Sequence, residues 1–83
     1  MYKTDEVRVF FYFTLFEETV ECVINQSLSL QENLKIILRM LEKEREFGSH
    51  TPLILEQNTK KICDLTVPVR NLQIREGMFF YIY

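Results

Sequence analysis

One helical segment between strand-like segments most constrains what this chain can fold into. The helix begins with a capping box, because Ser29 can accept from the third helical N–H and Glu32 can reach back to the Ser29 N–H. Apolar residues then recur at helical spacing on one side, at Leu30, Leu34, Ile37, Leu38 and Leu41. The pattern predicts a helix over residues 30–46, ended by Gly48 in the left-handed region. With a single helix, this apolar stripe has to pack against a sheet.

The residues before the helix predict a β-hairpin. Residues 7–15 and 19–25 are rich in β-branched and aromatic residues and are separated by a short polar break. In the first strand, Arg8 and Thr14 mark the parity that should face away from the helix. In the second strand, Cys22 shares its parity with apolar neighbours and is predicted to be a buried thiol.

Three further strand-like segments follow the helix, at residues 53–57, 60–63 and 78–83. The first and last strands of the chain are the most apolar, which favours central positions and a parallel pairing between them. The prediction is an α+β fold over a single domain, residues 1–83, with a four- to five-stranded mixed sheet and one helix on one face. The predicted core comprises Val9, Phe11, Leu34, Leu38, Leu55, Phe80 and Ile82.

Over nearly its whole length the chain resembles a ubiquitin-like β-grasp protein. The resemblance is carried by the hairpin, by residues 29–35 that open the helix, by residues 53–55 as third strand, and by the closing run at residues 72–82. The closing run consists of an apolar residue, then a polar turn that contains Gly77, then a strand of alternating pattern. The resemblance implies the β-grasp fold, whose members commonly recruit partners through the open face of the sheet.

Within that superfamily the chain is similar to the YukD/EsaB group, small free-standing bacterial proteins linked to type VII (WXG100) secretion systems. The likeness lies in chain size, in the turn at residues 58–61, in the ending at residues 74–77, and in termination straight after the last strand. It implies a cytosolic accessory or regulatory role, with a secretion-system component as protein partner. The alternative is a scaffold or signalling β-grasp domain of the Ras-binding or ubiquitin-interaction type, excised from or fused to a larger protein.

The C-terminal sequence bears on covalent conjugation. Conjugated ubiquitin-like modifiers and sulfur carriers need a flexible tail that ends in Gly-Gly, whose carboxylate is adenylated. This chain ends in Tyr81, Ile82 and Tyr83, whose bulky side chains do not fit the narrow channel of an activating enzyme. We therefore expect that its C-terminus is not transferred.

Net charge and hydropathy exclude other function classes. Ten basic and twelve acidic residues give a net charge of −2, and the basic residues are spread along the chain. Binding to nucleic acid or to an anionic membrane by bulk electrostatics is therefore not expected. No apolar run is long enough to insert into a membrane, and the N-terminus is not a signal peptide, so a cytoplasmic protein with reduced cysteines is expected.

No combination of residues predicts catalysis, a metal site or a bound cofactor. His50 is the only histidine and is expected to be a solvated loop residue, since acid–base work needs a partner group. Cys22 is expected to be inert, and Cys63, near a strand end, is more ambiguous but has no evident base. Two cysteines without CxxC spacing do not predict a metal centre. A non-enzymatic protein is predicted.

Outward-facing aromatic residues are the candidate site. Two alternatives argue against an interface. The strand register could be shifted by one residue, or long polar side chains could cover the rings. In its favour, both parities of the last strand are aromatic, so one aromatic face lies away from the core in either phase. A patch of this kind predicts either docking of a protein partner or a sheet-to-sheet homodimer. Five residues form the predicted interface: Phe10, Tyr12, Phe79, Tyr81 and Tyr83.

Overall fold

The computed structural model describes residues 5–83 and begins with the predicted hairpin. Strand β1, Glu6–Phe13, pairs antiparallel with β2, Glu18–Asn25. Residues of β1 alternate strictly between the two faces of the sheet, and the predicted phase is confirmed: Val9 and Phe11 are fully buried. The intervening turn places Glu17 in the left-handed region, at φ 54°.

Helix α1, Leu30–Met40, begins at the predicted capping box. Glu32 N–H donates to Ser29 Oγ at 3.1 Å, and Ser29 N–H donates to Glu32 Oε1 at 3.1 Å. One turn into the helix, Asn33 ties α1 to the end of β2. Its Oδ1 accepts from Asn25 N–H at 2.8 Å, and its Nδ2 donates to Asn25 C=O at 2.9 Å. The helix is thereby fixed against the sheet by hydrogen bonds as well as by its apolar stripe.

The predicted helix over residues 30–46 is interrupted between Met40 and Glu44. Helix α1 ends in a Schellman arrangement, in which Lys43 N–H donates to Leu38 C=O and Glu42 N–H donates to Arg39 C=O. Glu42 occupies the left-handed position at φ 58°, which glycine usually fills. A separate short helix follows, α2, Glu44–Phe47, and Gly48 at φ 82° ends it.

Burial of Phe47 gives the physical reason for this break. The redirected chain carries the Phe47 ring into the core, where it is 5% exposed and lies 6.3 Å from the ring of Phe13 and 6.4 Å from that of Phe16. Burying an aromatic side chain contributes about 1.5–3 kcal/mol, which offsets the cost of about 1–2 kcal/mol for one non-glycine residue in the left-handed region.

The remaining strands complete a four-stranded mixed sheet. Strand β4, Phe79–Ile82, runs parallel to β1 and antiparallel to β3, Ile54–Glu56, giving the order β2-β1-β4-β3. The prediction that the first and last strands are central, adjacent and parallel is confirmed. A short 3-10 helix, Val69–Leu72, precedes β4 and buries Val69.

Two predictions about β3 and its neighbour are wrong. Residues 60–63 form no strand, because Lys60 turns into the left-handed region at φ 60° and leaves only an isolated bridge between Leu55 and Ile62. Leu55 also does not belong to the core. Ile54 and Glu56 face the helix instead, and Leu55 lies on the open side of the sheet. The six other predicted core residues are buried.

Glu56 is a buried carboxylate that stabilises its own turn. It accepts hydrogen bonds from Asn58 N–H, Thr59 N–H and Thr59 Oγ1, each at 2.9 Å. The two backbone donors are the main reason why the pKa of this carboxyl group lies below its ordinary value.

This geometry predicts a pH-dependent effect of Glu56→Gln. The pKa of Glu56 is lowered on folding from its ordinary value of 4.5. The charged carboxylate therefore stabilises the fold at pH values above 4.5, and this stabilisation is lost as the pH falls through the folded-state pKa. We expect the variant to melt below wild type at neutral pH, and the two melting temperatures to converge as the pH falls through the folded-state pKa of Glu56, which lies below 4.5. Thermal unfolding across this range checks it; a difference that does not vary with pH would contradict a role for the charge.

Candidate interaction face

The strand register brings the predicted aromatic residues together on the open face of the sheet. Phe10 lies beside Phe79 across the β1–β4 ladder, and Tyr12 lies beside Tyr81. The rings of Phe10 and Phe79 stack at 6.1 Å between centroids, and those of Tyr12 and Tyr81 meet edge to face at 6.0 Å. Tyr83 continues β4 by exchanging backbone hydrogen bonds with Leu53. We call these five residues, Phe10, Tyr12, Phe79, Tyr81 and Tyr83, the aromatic face.

The aromatic face is covered in part by its own side chains, and Tyr81 is also contacted by Lys60 and Gln57. Phe10, Tyr12, Phe79 and Tyr81 are half-buried, whereas Tyr83 is 46% exposed. Phe79 and Tyr81 lie 5.7 Å apart along β4, so each ring shields the next. Helices α1 and α2 cover the opposite side of the sheet, where the core residues lie. The face therefore presents contiguous aromatic area to solvent.

Three apolar side chains that sequence reasoning missed extend this face. Leu55 lies beside Tyr81 on β3, and Ile62, 64% exposed, lies beside Leu55. Val23, 44% exposed, lies beside Arg8 at the other side of the sheet. Their placement follows from pairing partners, which the sequence of each segment alone does not specify. Alternation within β2 could have indicated Val23, because it shares a parity with Thr19 and Glu21.

Polar groups frame the aromatic face at its two sides. Arg8 lies 3.3 Å from Glu21 and 3.4 Å from Glu76, and its backbone N–H donates to Glu76 Oε1 at 2.9 Å. Its buried Nε is within ion-pair distance of Glu76 but lacks hydrogen-bond alignment. On the other side, the Lys60 ammonium lies 5.8 Å from the ring centroid of Tyr81. The rings between these groups are uncharged, with the Lys60 ammonium over Tyr81 alone, and they suit desolvation against a largely apolar partner surface.

The cysteines and the histidine do not form a reactive site. Burial, and next the charge of Glu21, raise the pKa of the Cys22 thiol to about 12. Burial, and next the charge of Glu56, also raise the pKa of Cys63, so both thiols are protonated at neutral pH. The His50 ring stacks on Phe47 at 4.6 Å, and its Nε2 lies 3.4 Å from the backbone oxygen of Tyr83. Within residues 5–83, no group of three His, Cys, Asp or Glu residues could hold a metal ion.

No helix in the part of the chain that the structure describes is long and apolar enough to span a bilayer.

Comparison with known proteins places the fold. The sequence matches no family model and no curated protein. A protein designed on the basis of ubiquitin superposes with a TM-score of 0.71 at 6% identity, covering 98% of this chain and 90% of that one. The ubiquitin-like domain of an Arabidopsis thaliana protein superposes with a TM-score of 0.69 at 10% identity, covering 100% and 81%. The chain therefore has a ubiquitin-like fold, as its sequence predicts.

One further structural neighbour belongs to a large assembly. Protomer 1 of the ESX-3 core complex contains a region that superposes with a TM-score of 0.63 at 14% identity. The match covers 94% of this chain and 16% of that chain. At this identity the likeness is one of fold.

Proposed function

We propose that this protein is a non-enzymatic ubiquitin-like interaction module that binds a protein partner through the aromatic face. The observation that carries the proposal is the position of the rings. The helices lie on the opposite side of the sheet, so the rings are covered only in part, by one another and, at Tyr81, by Lys60 and Gln57. Aromatic residues are good binding anchors once desolvated, and the tyrosine hydroxyls keep a polar edge.

We further propose that the partner is a component of a bacterial type VII secretion system, for which the protein acts as a cytosolic accessory or regulator. The support is the resemblance of the sequence to the YukD/EsaB group, together with the likeness in fold to a region of an ESX-3 core complex chain. The alternative is a β-grasp domain that acts within a larger protein. In its favour, one structural neighbour is the N-terminal ubiquitin-like domain of a larger protein.

Tyr81→Ser tests the aromatic face. The Tyr81 ring contacts Tyr12 and Phe79 on the surface and lies outside the core, so the variant should fold. If Tyr81 is an anchor, binding to the secretion-system partner, or self-association through this face, should weaken by about 1–3 kcal/mol. Sedimentation measures self-association, and calorimetry with the purified partner measures binding.

Lys35→Ser is the matched control, since Lys35 is exposed on the outer side of α1, away from the sheet. Its binding should equal that of wild type. Unfolding of Tyr81→Ser would place the ring in the core, and unchanged binding of a folded Tyr81→Ser would leave the aromatic face without a function.

A further inference from the structure

Glu56 is the one charged residue among residues 5–83 that is buried, at 5% exposure. Glutamate is almost never fully buried in proteins unless it is paired. No lysine or arginine in this part of the chain forms an ion pair with Glu56. The Lys60 ammonium lies over the Tyr81 ring, and Lys61 is exposed. The charge of Glu56 is therefore met by hydrogen-bond donors of its own turn but by no counter-ion.

A groove of about 490 Å³ adjoins Glu56, between residues 59–64 and residues 72–78. Its volume lies within the range of about 300–1,000 Å³ that is typical of ligand sites. Most of its wall is apolar and consists of Ile62, Cys63, Leu72, Ile74, Met78 and Phe80. The groove therefore combines apolar contact area with a buried negative charge.

The Glu56 carboxylate can take a further donor. A carboxylate offers about four acceptor positions, and Asn58 N–H, Thr59 N–H and Thr59 Oγ1 occupy three of them. Its charge acts on the groove, because it is the next cause after burial that raises the pKa of the Cys63 thiol in the groove wall. A donor that enters the groove thus meets an acceptor with an unbalanced charge.

Charge and hydration select the occupant. Two carboxylates, Glu56 and Asp64, line the groove against a single ammonium, Lys61, so a cation is favoured over an anion. A guanidinium is more weakly hydrated than an ammonium and loses less when it is buried in an ion pair. An arginine also has an apolar stem, which suits the wall formed by Leu72 and Met78.

We propose that this groove receives an arginine side chain of a protein partner. The guanidinium donates to the Glu56 carboxylate, the stem packs along Leu72 and Met78, and an apolar neighbour of the arginine fills the remaining space. This site is distinct from the aromatic face, since Glu56 lies on the helix side of β3 and Tyr81 lies on the open side of β4.

A capped arginine–leucine dipeptide is the probe for this site. Titrated into the ¹⁵N-labelled protein, it should shift the amide signals of Cys63, Gln73 and Met78, which lie in the groove wall. The same dipeptide with citrulline, which has a similar shape and no charge, should bind roughly five- to tenfold more weakly. Equal binding of the two dipeptides would overturn the proposal, as would absence of shifts at these amides at millimolar dipeptide. A lysine–leucine dipeptide that binds as tightly as the arginine one would overturn the choice of arginine.

Variants separate this site from the rest of the surface. Lys61→Gln removes the competing cation and should strengthen arginine binding roughly twofold at low ionic strength, without changing citrulline binding. Lys35→Gln, the same change on the outer side of α1, should have no effect on either dipeptide. Glu56→Gln should make the two dipeptides bind alike, and Tyr81→Ser should leave both unchanged. A preference for arginine that persists in folded Glu56→Gln, or that does not grow in Lys61→Gln, would overturn the proposal.

Discussion

Replacing Phe11 with alanine is expected to lower the free energy of unfolding by about 3–5 kcal/mol. Phe11 is fully buried, and its ring packs edge to face against Phe13 at 6.2 Å and Phe80 at 5.9 Å. Domains of this kind have a total stability of only about 5–15 kcal/mol, so the loss removes a large share of it. Urea unfolding monitored by circular dichroism measures the effect.

The neighbouring Phe10 provides the matched control, because it carries the same side chain on the opposite face of the same strand. Its ring is half-buried and stacks on Phe79. We expect Phe10→Ala to cost less than Phe11→Ala, about 1–3 kcal/mol, from the loss of half-buried area and of the stack on Phe79. Should Phe11→Ala fail to fold, the milder pair Phe11→Leu and Phe10→Leu makes the same comparison. Equal losses at the two positions would contradict the phase of β1 and, with it, the existence of the aromatic face.

Asn33→Leu is expected to cost about 2–4 kcal/mol, because buried polar groups lose their partners. Asn33 is 4% exposed and satisfies the N–H and C=O of Asn25, as well as the C=O of Ser29 at 2.9 Å. Leucine fills similar space but can neither accept nor donate a hydrogen bond. Denaturant unfolding gives the loss, and faster hydrogen exchange at the Asn25 amide locates it.

Two further substitutions bracket this prediction. Asn33→Asp keeps the acceptor for Asn25 N–H but turns a carboxylate oxygen toward the C=O groups of Asn25 and Ser29, so its loss at neutral pH should be at least as large as that of Asn33→Leu. Lys35→Leu changes an exposed position of the same helix and should alter stability by less than about 0.5 kcal/mol. A stability for Asn33→Leu that matches Lys35→Leu would show that the bonds between α1 and β2 contribute nothing.

The parts of the fold that could be predicted from the sequence are those in which a single local pattern is clear. The phase of β1 followed from alternation between Arg8 or Thr14 and apolar neighbours, and the start of α1 followed from the capping box. The end of α1 depended on tertiary burial of Phe47 and on a non-glycine residue, Glu42, in a left-handed position. Helical spacing carries no information about either of these features.

The phase of β3 was not predictable because three apolar residues, 53–55, stand in a row and show no alternation. Glu56 then argues for an outward position, whereas in the structure its carboxylate turns back to the amides of its own turn. The same uncertainty explains the incomplete candidate site. The predicted rings lie together on the open face, but Leu55 and Ile62 joined them only through pairing across β3.

Site-specific photo-cross-linking in the source organism tests most directly whether the aromatic face binds a protein partner. Benzoylphenylalanine is placed at Tyr12 or Phe79 on this face, and at Lys35 on the outer side of α1 as the control. We expect cross-links from the first two positions to a secretion-system component, their loss when Tyr81→Ser is added, and none to that component from position 35. Cross-links to that component from position 35 alone, or equally from all three positions, would contradict the account.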